Sequence, residues 1–125
     1  MFRKLLLFAL FPLGLVACGQ PQTPVGSRCA AGGFCLFEHR DFAGRQLTAV
    51  GNSGMLAQDD WDVLSSAINN TDQTLCLYDL GLDWKLYLLV DVAPKDKIDY
   101  VGDGDNDKIN AWQLTSGTCE TVRPR

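Results

Sequence analysis

The chain has 125 residues and only one histidine, His39, a scarcity that removes most acid–base chemistry at once. A catalytic imidazole needs a nucleophile or a second acid/base group at matching geometry. Ser65-Ser66 is not framed as a nucleophile elbow, and Asp59-Asp60 reads as a solvated loop pair. His39, with Arg40 and Asp41, reads as part of an exposed turn, and the expectation is a protein that is not an enzyme. The 11 basic residues are outnumbered by 15 acidic ones and form no cluster, which argues against nucleic acid as a partner. No CxxC pair occurs, and with one histidine a zinc site lacks its ligands. No apolar run reaches the about 20 residues that a spanning helix needs.

The one long apolar run, residues 5–16, follows the basic start Met1-Phe2-Arg3-Lys4 and leads into Leu15-Val16-Ala17-Cys18. This order is that of a secretory signal. Its end resembles the bacterial lipobox, in which cleavage falls before a cysteine that then carries lipid. The resemblance implies a leader over 1–17, lipidation at Cys18 and an extracytoplasmic protein anchored in the cell envelope. Gly19, where many retained Gram-negative lipoproteins have Asp, permits outer-membrane sorting. Residues 18–28 hold the anchor and a polar, proline-containing tether. Cleavage takes away Arg3 and Lys4, leaving nine basic and 15 acidic residues, net −6.

Four cysteines remain, an even number in an exported domain, and read as two disulfides. Four allow three pairings. Cys29 and Cys35 are near enough in sequence to pair locally. Cys76 and Cys119 would then close a loop of about 44 residues, worth about 4 kcal/mol in the chain-entropy model.

Residues 29–125 make one domain with a modest core. Strand patterns run over 34–38, 45–50, 73–79, 85–92 and 109–114, separated by Gly/Asn/Asp turns at 50–54 and 102–107. Only 55–64 has room for a helical turn. Cys35-Leu36-Phe37-Glu38 recurs as Cys76-Leu77-Tyr78-Asp79, and Asp62-Val63-Leu64-Ser65-Ser66 as Asp107-Lys108-Ile109-Asn110-Ala111. The offsets of 41 and 45 residues describe two similar units closing one core. Trp61, Trp84 and Trp112 are expected in packed positions.

The stretch from Phe37 to Gly44 resembles the aromatic-x6-glycine signature of a βγ-crystallin Greek key. The closing segments resemble that family's calcium motif, Asn/Asp-Asn/Asp-x-x-Ser/Thr-Ser. Together with the Cys-x5-Cys opening, the chain resembles bacterial peptidase inhibitors built on a single βγ-crystallin domain. The resemblance implies an all-β, double Greek-key sandwich and a secreted or envelope protease as partner. The expected protein is a monomer that binds protein, with residues 41–45 and 51–58 as loop candidates for the contact. The alternative it implies is a calcium-binding structural or envelope-stress module with no protease target.

Two departures stand out. Six residues beyond Tyr78 stands Lys85, not glycine, so the second hairpin must be shaped differently. Both calcium motifs are altered: Trp61 takes the first acidic position, and Asn110 and Ala111 take the hydroxyl positions. Asp62 and Ser65 form one candidate calcium set; Asn106, Asp107 and Asn110 form the other. The acidic turn 103–107 opens like an EF-hand loop, but Lys108 stands at its obligatory glycine. Asn69-Asn70-Thr71 is a glycosylation sequon whose match is accidental in a bacterial lipoprotein.

Overall fold

The computed structural model describes residues 29–125. The leader 1–17, Cys18 and the tether 18–28 lie outside the described residues. Among the described residues nine strands form: β1 (Phe34–Phe37), β2 (Gln46–Leu47), β3 (Ser53–Met55), β4 (Ser66–Asn69), β5 (Thr74–Leu80), β6 (Lys85–Val92), β7 (Asp96–Ile98), β8 (Ala111–Thr115) and β9 (Val122–Pro124). A tight turn with left-handed backbone at Asp41 and Phe42 covers Arg40–Phe42, and a 3-10 turn covers Gln58–Asp60, inside the stretch expected to turn. No described helix is long and apolar enough to cross a membrane.

The strands pair antiparallel in two sheets, ordered β2-β1-β4-β7 and β3-β8-β5-β6-β9. Each half sends its third strand to the other sheet: β3 lies beside β8, and β7 beside β4. This exchange makes two Greek keys one domain. The repeat offsets reappear in the backbone. Ser65 N donates to Phe37 O at 2.9 Å, and Asn110 N to Tyr78 O at 2.8 Å. Ser65 O accepts from Val101 N, and Asn110 O from Leu56 N. Asp62 and Asp107 both take left-handed backbone, φ 59° and 61°.

Alternation along the strands decides what faces what. Leu36, Ala67, Leu75 and Leu77 point between the sheets, with Leu64, Ile109 and Trp112, and build the main core. The intervening residues of β1 and β5 point outward, yet they too are buried. On one sheet Cys35 and Phe37 pack with Cys29, Phe42 and Ile68; on the other Cys76 and Tyr78 pack with Leu86 and Ala111, and Cys119 lies against them. Each outer face is closed by a terminal segment held by a disulfide, Cys29 to Cys35 and Cys76 to Cys119. The two bridges are therefore equivalents under the repeat.

The tail leaves one polar group stranded. Tyr78 is wholly buried, and its hydroxyl makes no well-formed hydrogen bond among the described residues, being approached only by the Glu120 backbone. An unpaired buried hydroxyl costs about 1–3 kcal/mol. Tyr78→Phe should raise stability by about 1 kcal/mol, read as an increase in melting midpoint of about 5 °C. Burial also pushes the Tyr78 phenol above its ordinary value of 10.0. The unfolded chain therefore loses this proton first, so the stability tied to it is complete below pH 10 and drains away above it. Tyr87 and Tyr100 are raised in the same sense by donating to Asp83 and Asp103. Tyr78→Phe should flatten the alkaline limb of the pH–stability curve without abolishing it. A variant less stable than the parent would show that the hydroxyl is satisfied.

Candidate functional site

Two features stand apart from the packed framework: a polar seam between the repeats and an exposed hairpin end. The seam collects every residue expected at a calcium site, but joins them across the halves. Ser65 Oγ donates to Asn106 Oδ1 at 2.5 Å, and Asn110 Nδ2 donates to Asp62 Oδ1 at 2.8 Å. The sets expected within each motif are thus interleaved: Ser65 meets Asn106, and Asp62 meets Asn110. Glu38, Asp62, Val63, Ser65, Asn106 and Asp107 line one open cleft with His39 and Arg40. His39 is exposed, and Ser65 directs its hydroxyl at Asn106, not at the imidazole.

Calcium asks for six to eight oxygen ligands. The Ser65 and Asn106 oxygens face one another in a cleft that Glu38, Asp62 and Asp107 share with His39 and Arg40, and this side leaves oxygens facing the cleft. The Asn110 side does not. Its amide oxygen is taken by Leu80 N at 2.8 Å, so its nitrogen, not its oxygen, faces Asp62. Lys108 adds a positive charge there and acts on Asp79, whose carboxyl is pushed up by burial and then by Asp62. Among the described residues no group of three His, Cys, Asp or Glu side chains is placed to hold a metal.

The two hairpins show what one hydroxyl does. In the first, buried Ser66 accepts from Phe42 N at 3.0 Å and donates to His39 O at 2.6 Å. Phe42 is drawn inward against Phe37, ring to ring at 5.9 Å. Gly44 has φ +76°, and a Cβ there would sit 2.5 Å from the His39 ring. Arg45 pairs with buried Asp60 and closes the loop, so only Asp59 of the pair expected to be solvated faces water. Residues 41–45 are thus pinned, and half of 51–58 belongs to β3 and the start of a 3-10 turn, with Leu56 buried in the core between them. Neither loop offered at the sequence level presents a large apolar side chain to a partner.

Ala111 stands where the first half has Ser66, and the second hairpin has no such staple. It turns otherwise, as its lack of a matching glycine implies: Gly81 N donates to Lys85 O at 2.8 Å and Trp84 N to Gly81 O at 3.0 Å. Its aromatic residue stays outside. Trp84 is 62% exposed, which corrects the expectation of a packed position, and Leu82 is fully exposed. Trp61 and Trp112 do pack, Trp112 being buried near Phe34. Tyr87 and Val122, paired across β6 and β9, extend the patch. The Arg125 guanidinium lies 5.2 Å from the Trp84 ring centre. The sequence signal that could have found this end was Ala111 in place of the second hydroxyl.

Exchanged third strands, two repeats about a polar seam and a folded first hairpin define a βγ-crystallin-like double Greek-key domain. Residues 22–81, the first Greek key and the opening strand of the second, match the model of peptidase inhibitor family I36, and the resemblance to that family holds. A mutant βγ-crystallin domain from Clostridium beijerinckii is similar in structure, with TM-score 0.50 and 16% identity. The match covers 67% of this chain and 98% of that one, and at this identity it speaks for the fold alone. No curated protein matches the chain.

Proposed function

We propose that the domain is a proteinaceous peptidase inhibitor, held outside the cytoplasm by a lipid on Cys18. The observation that carries this reading is the match of residues 22–81 to a peptidase inhibitor family. The physical support is rigidity. Two disulfides close both outer faces, so a bound loop loses little conformational entropy on docking. The domain acts by binding and not by catalysis. The test is titration of the full chain, purified in detergent, against serine, cysteine, aspartic and metallo-peptidases. Saturable inhibition of at least one class is expected. Inhibition of none would sink the reading.

The Ser65–Asn106 cleft favours a second role, as a weak calcium site that braces the seam. With a Kd near 10⁻⁴ M, about 5 mM calcium would add about 2 kcal/mol to stability. The melting midpoint should then rise between EDTA and calcium. Asn106→Ala should abolish the rise, while Asn110→Ala should lower stability and leave the rise in place. An unchanged midpoint in the parent chain would leave the seam a hydrogen-bonded closure without metal.

A further inference from the structure

The β5–β6 turn, residues 81–85, gathers three properties that no other loop among the described residues combines. It is apolar at its tip, rigid along its backbone and basic at its base. Leu82 is fully exposed and Trp84 largely so. Exposed clusters of this kind mark interaction sites, and Trp is the residue most often at the energetic centre of an interface. The turn is held by its own hydrogen bonds and by the Asp83 carboxylate, which accepts from Lys85 N and from the Tyr87 hydroxyl. A Cβ at Gly81 would sit 2.7 Å from both Asp83 Oδ1 and the Tyr87 ring, so a larger residue there would displace these two side chains. Trp84 takes φ 65°, an unfavourable conformation for a bulky side chain, and such strain clusters at ligand-contacting positions.

Charge narrows the partner. Residues 29–125 carry eight basic and 15 acidic side chains, yet Lys85, Arg123 and Arg125 all stand at this end, against the single carboxylate of Asp83, which is engaged by the Tyr87 hydroxyl. The fitting surface is an apolar pocket with an acidic rim. Position narrows it further. Cys29, where the chain leads back to the anchor, is bonded through its carbonyl to Asn70, just before β5 begins. The turn follows the far end of that strand, about 20 Å away. A membrane surface would also accept Leu, Trp and basic residues; this end lies opposite the point where the tether leaves the domain, which presents it outward to a soluble partner, and the vesicle measurement below separates the two.

We propose that residues 81–85 are the segment that docks into a peptidase, with Leu82 filling an apolar, leucine-accepting pocket and Trp84 packing on its lip. This rests on the inhibitor reading above. The turn is too tight to lie as the extended strand that a cleft binds for cutting, so it acts as a plug and stays uncleaved.

The test measures inhibition constants of the full chain against peptidases accepting Leu or Phe and against others specific for Arg or Lys. Inhibition confined to the first group is expected. Leu82→Asp should weaken it about 100-fold, Leu82→Met by less than about threefold, and Trp84→Ala about 30-fold. Val50→Asp, on an exposed residue elsewhere, should change nothing. Circular dichroism melts keep loss of fold apart from loss of contact. If the parent inhibits a peptidase and Leu82→Asp and Trp84→Ala inhibit as well as the parent, the docking proposal falls and the inhibitor reading stands. If these variants lose only binding to anionic phospholipid vesicles, the tip is a membrane contact and the proposal is overturned. If the parent inhibits nothing, both fall together.

Discussion

Replacing Cys76 and Cys119 together by alanine should lower the melting midpoint by about 20 °C. Replacing Cys29 and Cys35 together should lower it by roughly half as much. The two bridges are equivalents in the fold, so their difference isolates loop length. Their sequence separations are 43 and 6 residues. Chain entropy assigns about 4 kcal/mol to the long loop and about 2 kcal/mol to the short one. For a domain of about 100 residues each kcal/mol moves the midpoint by about 4–8 °C. The native state strengthens the ranking. Without the long bridge the tail is held to β6 by the short β9 pairing alone, and the wholly buried Tyr78 lies beneath it. Melts of the two double variants under one buffer decide the matter. Equal losses would show that the tail is held by packing and that loop closure is secondary.

Most of the sheet framework was legible because its strands announce themselves. β5 and β6 carry dense apolar and aromatic runs, and β1 and β8 hold aromatics bounded by turn residues. The strands that were missed fail that rule for physical reasons. β4 reads Ser-Ala-Ile-Asn, small and polar, although all four residues are buried. It lies between β1 and β7, where close backbone approach matters more than side-chain volume. β7 and β9 are three-residue edge strands, β7 with exposed charged side chains and β9 with exposed Val122 and Pro124 about a half-buried Arg123. The segment read as a turn at 50–54 runs into β3. That strand is set by pairing with β8 in the other half, information that no local window holds.

The candidate sites were legible in composition but not in connection. Asp62, Ser65, Asn106, Asp107 and Asn110 were all picked out as oxygen donors. Their partners are set by the strand exchange, which brings residue 65 against 106 and residue 62 against 110. The exposed hairpin end was hidden because Trp and Leu ordinarily signal core. The second half has Ala111 where the first has the Ser66 staple, so nothing in the local sequence around Trp84 marks the different course of its hairpin.

Asn69→Ala should be the most damaging single polar substitution, costing about 3 kcal/mol and lowering the midpoint by about 15 °C. The sequence offers Asn69 only as the first residue of a sequon. In the fold it is wholly buried, and its amide is a hub that no glycan can reach. Nδ2 donates to the carbonyls of Gln73, Val92 and Ala93 at 2.8, 2.9 and 3.1 Å. Oδ1 accepts from Thr71 N and Thr71 Oγ1 at 3.1 and 2.7 Å. One side chain thus closes the β4–β5 turn and ties β4, in one sheet, to the end of β6 in the other. Alanine would leave the Thr71 donors and several carbonyls without this partner, each loss worth about 1 kcal/mol or more. Asn69→Asp is the sharper probe. It keeps the shape but points an anion at three carbonyl oxygens. Burial and those oxygens push such a carboxyl up in the folded state, so the protonated form is the one the fold accepts. The variant should therefore be less stable than Asn69→Ala at pH 7 and regain stability as the pH falls toward 4. Midpoints of both variants across that range test the idea directly. If Asn69→Ala loses less than about 1 kcal/mol, the hub is redundant and the sheets are joined by apolar packing alone.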